Sequence, residues 1–179
     1  TSDPQRAFEP TASIVNRAIY DTLLTFKGGD VSRPLPMAAQ GFRASQDAKT
    51  YIFQLRRNIR FADGTPMTAA DVVFSFRRLI NLKGNPSFLL AGVRVSAHGK
   101  YTVLLRSATP NTALPAIVAN TSLGIVNSKL AKRNGATDAA NADKADKAER
   151  WFNSAASRGA GSGPYLRRQY STTAQIVLD

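Results

Sequence analysis

Cysteine is absent from the 179-residue sequence, and His98 is its only histidine. Without cysteine the chain cannot form disulfides, thiol nucleophiles or cysteine-ligated metal sites. His98 has no second histidine with which to share a metal, and Gly99 beside it predicts a turn, so we expect a solvated side chain. No paired carboxylates and no Ser/His/Asp arrangement stand out either. We therefore expect neither an enzyme, nor a metal site, nor a cofactor.

Acidic residues are scarce, with 12 Asp and Glu against 24 Lys and Arg, which gives a net charge of +12. Long apolar runs are missing too, and none approaches the ~20 residues of a membrane-spanning helix. A basic excess is typical of proteins that bind nucleic acid or anionic membranes. Here the charges are scattered in pairs such as Arg56-Arg57 and Arg167-Arg168. A basic interaction module for nucleic acid or an anionic lipid surface is therefore only the alternative hypothesis.

One stretch, residues 50–79, has the clearest local pattern. Aromatic and β-branched residues alternate from Thr50 to Leu55, which predicts a strand. Asp63-Gly64 predicts a turn, and Thr68 stands three residues before Asp71, the spacing of a capping box at a helix start. The following helix should present one broad apolar face to a core. That face comprises Val72, Val73, Phe76, Leu79 and Ile80.

This stretch resembles the N-terminal signature of the family-5 extracellular solute-binding proteins, the oligopeptide, dipeptide and nickel receptors of ATP-binding cassette (ABC) transporters. So many matches in order form a specific signal. The matching residues are Thr50, Tyr51, Phe53, Leu55, Arg56, Ile59, Phe61, Asp63, Gly64, Pro66, Thr68, Ala69, Asp71, Val73, Phe74 and Ser75.

Both ends of the chain extend the resemblance. Asp3-Pro4 is followed by a predicted helix, capped by Ser13, that leads into a Tyr-Asp-x-Leu-like motif at Tyr20. Residues 161–165 match the family's Gly-Thr-Gly-Pro-Tyr motif with serine in place of threonine. Its glycines would permit positive φ angles where the chain returns to its main lobe. A phosphate-binding loop is rejected, because the Lys-Ser/Thr of such a loop is missing.

The resemblance implies an α/β fold with a mixed sheet, of the type II periplasmic-binding-protein kind. Residues 1–27 would begin lobe I, residues 28–158 would form an inserted α/β subdomain with antiparallel pairing, and residues 159–179 would return to lobe I. The resemblance covers nearly all of this chain but only the N-terminal portion of a family member. We therefore expect the chain to stop before lobe II.

The resemblance also implies a binding site. In family members the loop between the Asp-Pro dipeptide and the first helix lies at the mouth of the cleft and touches the backbone of the ligand. The ligand-binding candidates at these positions are Phe8, Glu9, Pro10, Thr11 and Ala12.

The implied function is the substrate-binding component of an ABC transporter, which binds peptides or a similar small solute for uptake. Its partners would be the solute and a membrane permease. We expect a monomer that is periplasmic, or extracellular and lipid-anchored. Because the cleft needs both lobes, this chain alone should fold without binding peptide tightly.

Several weaker patterns give further expectations. Phe42 should pack in the subdomain core, and residues 122–126 should form a short strand. Residues 112–119 should form a short helix with Pro115 in its first turn. Residues 129–150 should form a loop around Asn134-Gly135 and then an exposed helix anchored by Trp151 and Phe152. Strands should cover residues 165–170 and 174–178.

Overall fold

The computed structural model describes residues 1–170 and 176–179, and it combines helices with three antiparallel sheets. The strands are β1 (Leu24–Lys27), β2 (Asp30–Pro36), β3 (Ala39–Ala44), β4 (Thr50–Leu55), β5 (Val93–Ala97), β6 (Thr102–Ser107), β7 (Arg167–Tyr170) and β8 (Ile176–Leu178). The helices are α1 (Pro10–Ile19), α2 (Ala69–Leu82), α3 (Leu114–Ile117), α4 (Ser128–Arg133), α5 (Ala142–Ala145) and α6 (Glu149–Phe152). Single 3-10 segments cover Asn85–Leu90, Thr121–Leu123 and Ala155–Ala160.

The largest sheet has four strands in the order β3-β4-β6-β5. The predicted alternation in β4 is confirmed, since Tyr51, Phe53 and Leu55 are buried whereas Ile52 and Gln54 are exposed. The turn expected around His98 is also confirmed, because it joins β5 to β6 and leaves the imidazole exposed. The apolar face of the sheet packs against α2 in one core.

Helix α2 is the element to which the other parts attach. The capping box predicted at Thr68 and Asp71 is present, and the Asp71 carboxylate accepts the backbone N–H of Thr68 at 2.9 Å. Val72, Phe76 and Leu79 enter the core under the sheet, as predicted. The single apolar face was an incomplete prediction, because the opposite face is buried as well.

That opposite face packs on a second apolar cluster. It contributes Phe74, and the cluster is completed by α1, the residues around α4 and the chain near α6. Arg78, a charged residue near the C-terminal end of α2, is fully buried on this side. Helix α2 therefore lies between two cores rather than on the surface of one.

The strand predicted over residues 122–126 is wrong. Residues 121–123 form a 3-10 turn, and the buried residues that follow pair with other elements. The N–H of Ile125 donates to the carbonyl of Asp21, and the N–H of Val126 donates to the hydroxyl of Ser75 on α2. Because their partners lie on a helix and a loop, these apolar residues never join a sheet.

The exposed helix predicted within residues 129–150 is also wrong. Helix α4 ends at Arg133, Gly135 turns the chain at a φ of 88°, and two four-residue helices follow. Asp146 separates these short helices because its carboxylate is drawn into a buried ion cluster. The expected anchor is present, since the Phe152 ring is buried and contacts the Trp151 ring at a centroid distance of 4.8 Å.

The predictions for the helix around Pro115 and for the position of Phe42 have different outcomes. The short helix around Pro115 is confirmed as α3. Phe42 contacts the rings of Tyr51 and Phe53, but 41% of its surface stays exposed because β3 is an edge strand. It therefore covers the core from its rim rather than filling it.

The last strands, β7 and β8, pair with each other in an antiparallel ribbon. The buried Arg167 guanidinium ties β7 to the end of α6 by donating to the carbonyl oxygen of Phe152 and to Ser157 Oγ. Strand β7 is shorter than the strand predicted over residues 165–170. Of the strand predicted over residues 174–178, residues 176–178 are confirmed as β8, and residues 174 and 175 lie outside the described residues.

Candidate ligand-facing surface

The candidate binding residues, 8–12, are preceded by seven residues that are fixed to the rest of the fold. Asp3 and Gln5 are completely buried, and both accept hydrogen bonds from Arg78 of α2. The amide of Gln5 donates to the carbonyl of Gly124 at 2.7 Å, and the hydroxyl of Ser122 donates to the carbonyl of Ala7 at 2.7 Å. Buried hydrogen bonds therefore fix the position of the chain up to residue 8.

Arg78 makes the central contacts that hold this N-terminal segment. Its guanidinium contacts Asp3 at 2.6 and 2.7 Å and Asp146 at 2.7 and 3.0 Å, and Arg6 approaches Asp146 at 3.1 Å. Burial alone would raise the pKa of the Asp146 carboxyl, but hydrogen bonds from Arg78 and the nearby positive charge hold it below its ordinary value. Burial likewise opposes the charge on Arg78, and the two carboxylates raise its pKa above the usual range.

The predicted site residues divide into an exposed and a buried group. Phe8, Glu9, Pro10 and Thr11 are exposed, whereas the side chain of Ala12 is buried. Three of the five lie in a helix rather than in a loop, because α1 begins at Pro10 and not after Ser13. Proline suits this first helical position, since its missing N–H would have no helical acceptor there.

The structure brings Phe8 together with an aromatic residue that the sequence analysis did not single out. The rings of Phe8 and Phe88 meet edge to face at a centroid distance of 5.3 Å. Both are exposed, by 42% and 59% respectively. Phe88 lies in the 3-10 segment after α2, and the only signal for it was a large aromatic within a Gly- and Pro-containing loop. Nothing local pointed to its contact with Phe8, 80 residues earlier in the numbering.

The opposite end of α1 is bound by the Gly-Ser-Gly-Pro-Tyr motif. The N–H of Gly163 donates to the carbonyl of Ile19 at 2.8 Å, and the N–H of Tyr165 donates to that of Ala18 at 3.1 Å. The expected positive φ was wrong, because Gly161 has a φ of −102°. A Cβ at Gly161 would instead lie 2.1 Å from the Ile19 carbonyl oxygen, so the motif needs glycine for close approach.

Asp21, directly after α1, connects to the same motif. Its carboxylate accepts a hydrogen bond from the Ser162 hydroxyl at 2.8 Å. Burial raises the pKa of the Asp21 carboxyl, and the Ser162 hydrogen bond offsets part of that rise. The first helix is thus held at both ends, at residue 7 through Ser122 and at residues 18–21 through the glycine motif.

The described part of the chain contains no group of three or more His, Asp and Glu residues that could hold a metal ion. Nor does any helix in residues 1–170 or 176–179 have the length and apolar character needed to cross a membrane. The exposed surface around Phe8 offers aromatic faces, one carboxylate and backbone groups. That arrangement can bind a solute, and it contains no obvious nucleophile with an activating base.

A family model described as "Bacterial extracellular solute-binding proteins, family 5 Middle" matches residues 33–179. The chain belongs to this family. The proteins it resembles are binding proteins rather than enzymes, and the alternative of a basic module for nucleic acid or lipid finds no support among them.

Two curated relatives illustrate the match. The Escherichia coli protein "Probable D,D-dipeptide-binding periplasmic protein DdpA" is 30% identical over 185 residues, covering 99% of this chain and 33% of the relative. The Sinorhizobium fredii protein "Probable peptide ABC transporter periplasmic-binding protein y4tO" is 38% identical over 103 residues, covering 57% of this chain and 19% of the relative. The family-5 chain therefore spans a third or less of these two relatives.

Solved structures confirm the fold expected for the family. An oligopeptide ABC transporter substrate-binding domain from Bacillus anthracis superposes with a TM-score of 0.83 at 20% identity, covering 100% of this chain and 35% of the other. Haemophilus influenzae OppA in complex with RPPGFSPFR gives a TM-score of 0.79 at 22% identity, covering 100% and 36%. The α/β architecture is thus that of the oligopeptide-type periplasmic binding proteins.

Proposed function

We propose that this chain forms part of the solute-binding component of an ABC transporter, and that it supplies one wall of a cleft for peptides or a similar small solute. Family membership and the peptide-binding names of the relatives support the substrate class. The single observation that carries the location of the wall is the exposed Phe8–Phe88 pair, which stands on a segment fixed by Arg78.

The wall would act through a rigid backbone and apolar ring faces. The first turn of α1 leaves the N–H groups of Thr11 and Ala12 without helical acceptors, since the first helical bond runs from Ser13 to the carbonyl of Glu9. Ala12 can therefore contact a ligand through its backbone even though its side chain is buried. Backbone donors of this kind bind a peptide main chain whatever its side chains are.

The remaining assignments follow from the same proposal. Residues 1–27 and 159–179 belong to lobe I, and residues 28–158 form the inserted subdomain. A second lobe outside this chain closes over the solute, and a membrane permease receives it. The protein acts as a periplasmic, or extracellular and lipid-anchored, monomer. No chemical step is involved, because binding and release complete the cycle.

The experiment compares thermal melting of this chain and of the longer protein that contains it, each with and without a pool of di- to pentapeptides. Binding to the folded state raises the melting temperature, so we expect a rise for the longer protein alone. Phe8→Ala and Phe88→Ala in the longer protein should reduce that rise. Phe42→Ala is the matched control, because Phe42 is equally exposed, at 41%, on a different part of the fold.

Three outcomes would contradict parts of the proposal. If peptides shift neither protein, the peptide class is wrong, and nickel chelates and oligosaccharides should be tried. If peptides shift the longer protein but Phe42→Ala reduces the effect as much as Phe8→Ala does, the wall has been placed on the wrong surface. Micromolar binding by this chain alone would contradict the need for a second lobe.

A further inference from the structure

A groove lies between α2 and the edge strand β5, and no part of the proposed solute surface lines it. Its volume is about 460 Å³, within the range of small-molecule sites. Its polar lining includes three arginines, and its floor is apolar. The lining residues are Arg77, Ile80, Asn81, Val93, Arg94, Val95, Ser96 and Arg106.

The three arginines of this groove carry positive charge that nothing nearby offsets. The lining contains no Asp or Glu, and within residues 1–170 and 176–179 none of the three forms an ion pair. Arg94 on β5 pairs directly with Arg106 on β6. Like charges facing each other across two strands destabilise a sheet, so this placement has a cost that folding alone does not explain.

Arg77 is fixed in place at the edge of the groove. Its Nε and one terminal nitrogen donate to the carbonyl of Val95 at 3.2 and 3.0 Å. This contact positions the guanidinium over the open edge of β5, which is paired on one side by β6. The second terminal nitrogen has no described partner, so it remains available to an anion.

We propose that the groove binds a small organic phosphate monoester through Arg77, Arg94 and Arg106. A monoester dianion matches this site better than a carboxylate does. It carries about two negative charges at neutral pH and three acceptor oxygens, enough for three guanidinium groups, whereas a carboxylate offers one charge and two oxygens.

The rest of the groove selects an organic phosphate over the inorganic ion. Ile80, Val93 and Val95 provide an apolar floor, and the volume far exceeds that of a single phosphate group. Asn81 and Ser96 can form hydrogen bonds with hydroxyl groups of the ligand. A phosphorylated sugar or polyol therefore suits the lining, with its carbon skeleton over the floor and its phosphate between the arginines.

The test titrates this chain with glucose 6-phosphate, glycerol 3-phosphate, inorganic phosphate and unphosphorylated glucose by calorimetry. We expect saturable binding of the two monoesters, weaker binding of inorganic phosphate and none of glucose. Arg94→Gln and Arg106→Gln should each weaken monoester binding about tenfold or more, since each removes a charged hydrogen-bond donor. At a hundredfold excess over Kd, a monoester should raise the melting temperature by about 5 °C.

Arg43→Gln is the matched control, because Arg43 is an exposed arginine of the same sheet on the far edge strand β3. Its loss changes the net charge equally and should alter monoester affinity less than twofold. Equal weakening by Arg43→Gln would show general charge attraction and overturn the proposal. The proposal would also be overturned if no monoester bound and Arg94→Gln had a higher melting temperature than the unchanged chain. That result would show that the arginines only place positive charge on the edge strand.

Discussion

The guanidinium of Arg78 and the carboxylate of Asp3 form a bidentate ion pair, with nitrogen–oxygen distances of 2.6 and 2.7 Å. Neither side chain is exposed to solvent. The pair joins the N-terminal segment to the helix that lies between the two cores. Asp146 approaches the same guanidinium from a third part of the chain. The segment that carries Asp3 and Phe8 is thereby positioned by Arg78, which lies 75 residues after Asp3 in sequence.

Replacing Arg78 by methionine should destabilise the fold by about 3 to 5 kcal/mol, because it removes the buried cation shared by two carboxylates and leaves them only the partly exposed Arg6. Urea unfolding monitored by circular dichroism measures the change. Adding Asp3→Asn and Asp146→Asn to this variant should recover part of the loss, since the unpaired charges then disappear. If the triple variant were less stable than Arg78→Met alone, the interpretation of these residues as a buried charge cluster would be contradicted.

The exposed ion pair between Lys83 and Asp143, 3.2 Å apart, provides the control. Lys83→Ala removes a charge from the same helix end but only breaks a solvated contact, and such contacts contribute little. We expect an unfolding midpoint close to that of the unchanged protein. A loss comparable to that of Arg78→Met would mean that removal of any charge near α2 has the same effect.

Acid should weaken the Arg78 cluster. The pKa of Asp146 is lower in the folded state than in the unfolded chain, so the folded state binds its proton less readily. The stability that it contributes is present above about pH 4, the ordinary range for aspartate, and is lost as pH falls through the lower folded value. Urea midpoints measured from pH 7 to pH 2 should fall more steeply for the unchanged protein than for Asp146→Asn.

Asp21 should show the opposite response. Burial raises its pKa in the folded state, so the folded protein binds that proton more tightly than the unfolded chain does. Its contribution is favourable at low pH and is lost as pH rises through the folded pKa. Asp21→Asn keeps an acceptor for the Ser162 hydroxyl, so its urea midpoint at pH 7 should equal or exceed that of the unchanged protein. A clear decrease would show that the charge itself is required.

Local patterns predicted the parts of the fold whose causes are local. The alternation of β4 and the capping box of Thr68 and Asp71 need only neighbouring residues, and both are present. The buried role of Arg78 was not predictable in this way, because its partners Asp3 and Asp146 lie 75 and 68 residues away. An arginine pair near a helix end is equally compatible with a solvated position.

The candidate site shows the same division. Phe8 to Ala12 were selected through a family resemblance, and their ligand contacts stay a prediction. The resemblance could not supply Phe88, whose ring reaches Phe8 only through tertiary packing. The glycine motif at residues 161–165 was recognised, but its physical reason was not. Its glycines make room for the Ala18 and Ile19 carbonyls, which no sequence pattern reveals.

Gly161→Ala should therefore destabilise the fold by roughly 2 kcal/mol or more, because the new methyl group would meet the Ile19 carbonyl oxygen at 2.1 Å. Gly163→Ala should behave similarly, with the Ala18 carbonyl oxygen 2.5 Å from its Cβ. Gly29→Ala is the control, since no atom lies within 4 Å of a Cβ there and its φ is not positive. Thermal melting of the three variants distinguishes steric exclusion from a general effect of losing glycine.

The Phe8–Phe88 contact should couple the N-terminal segment to the 3-10 segment after α2. In a double-mutant cycle of Phe8→Ala and Phe88→Ala, urea unfolding should give a coupling free energy of about 0.5 to 1.5 kcal/mol, as for other edge-to-face aromatic pairs. Each single change should cost less than burial of a whole ring would, because both rings remain partly exposed to solvent. Strict additivity would show that the two rings do not interact in solution, and the ligand-facing wall would then lack the preformed aromatic pair on which its assignment rests.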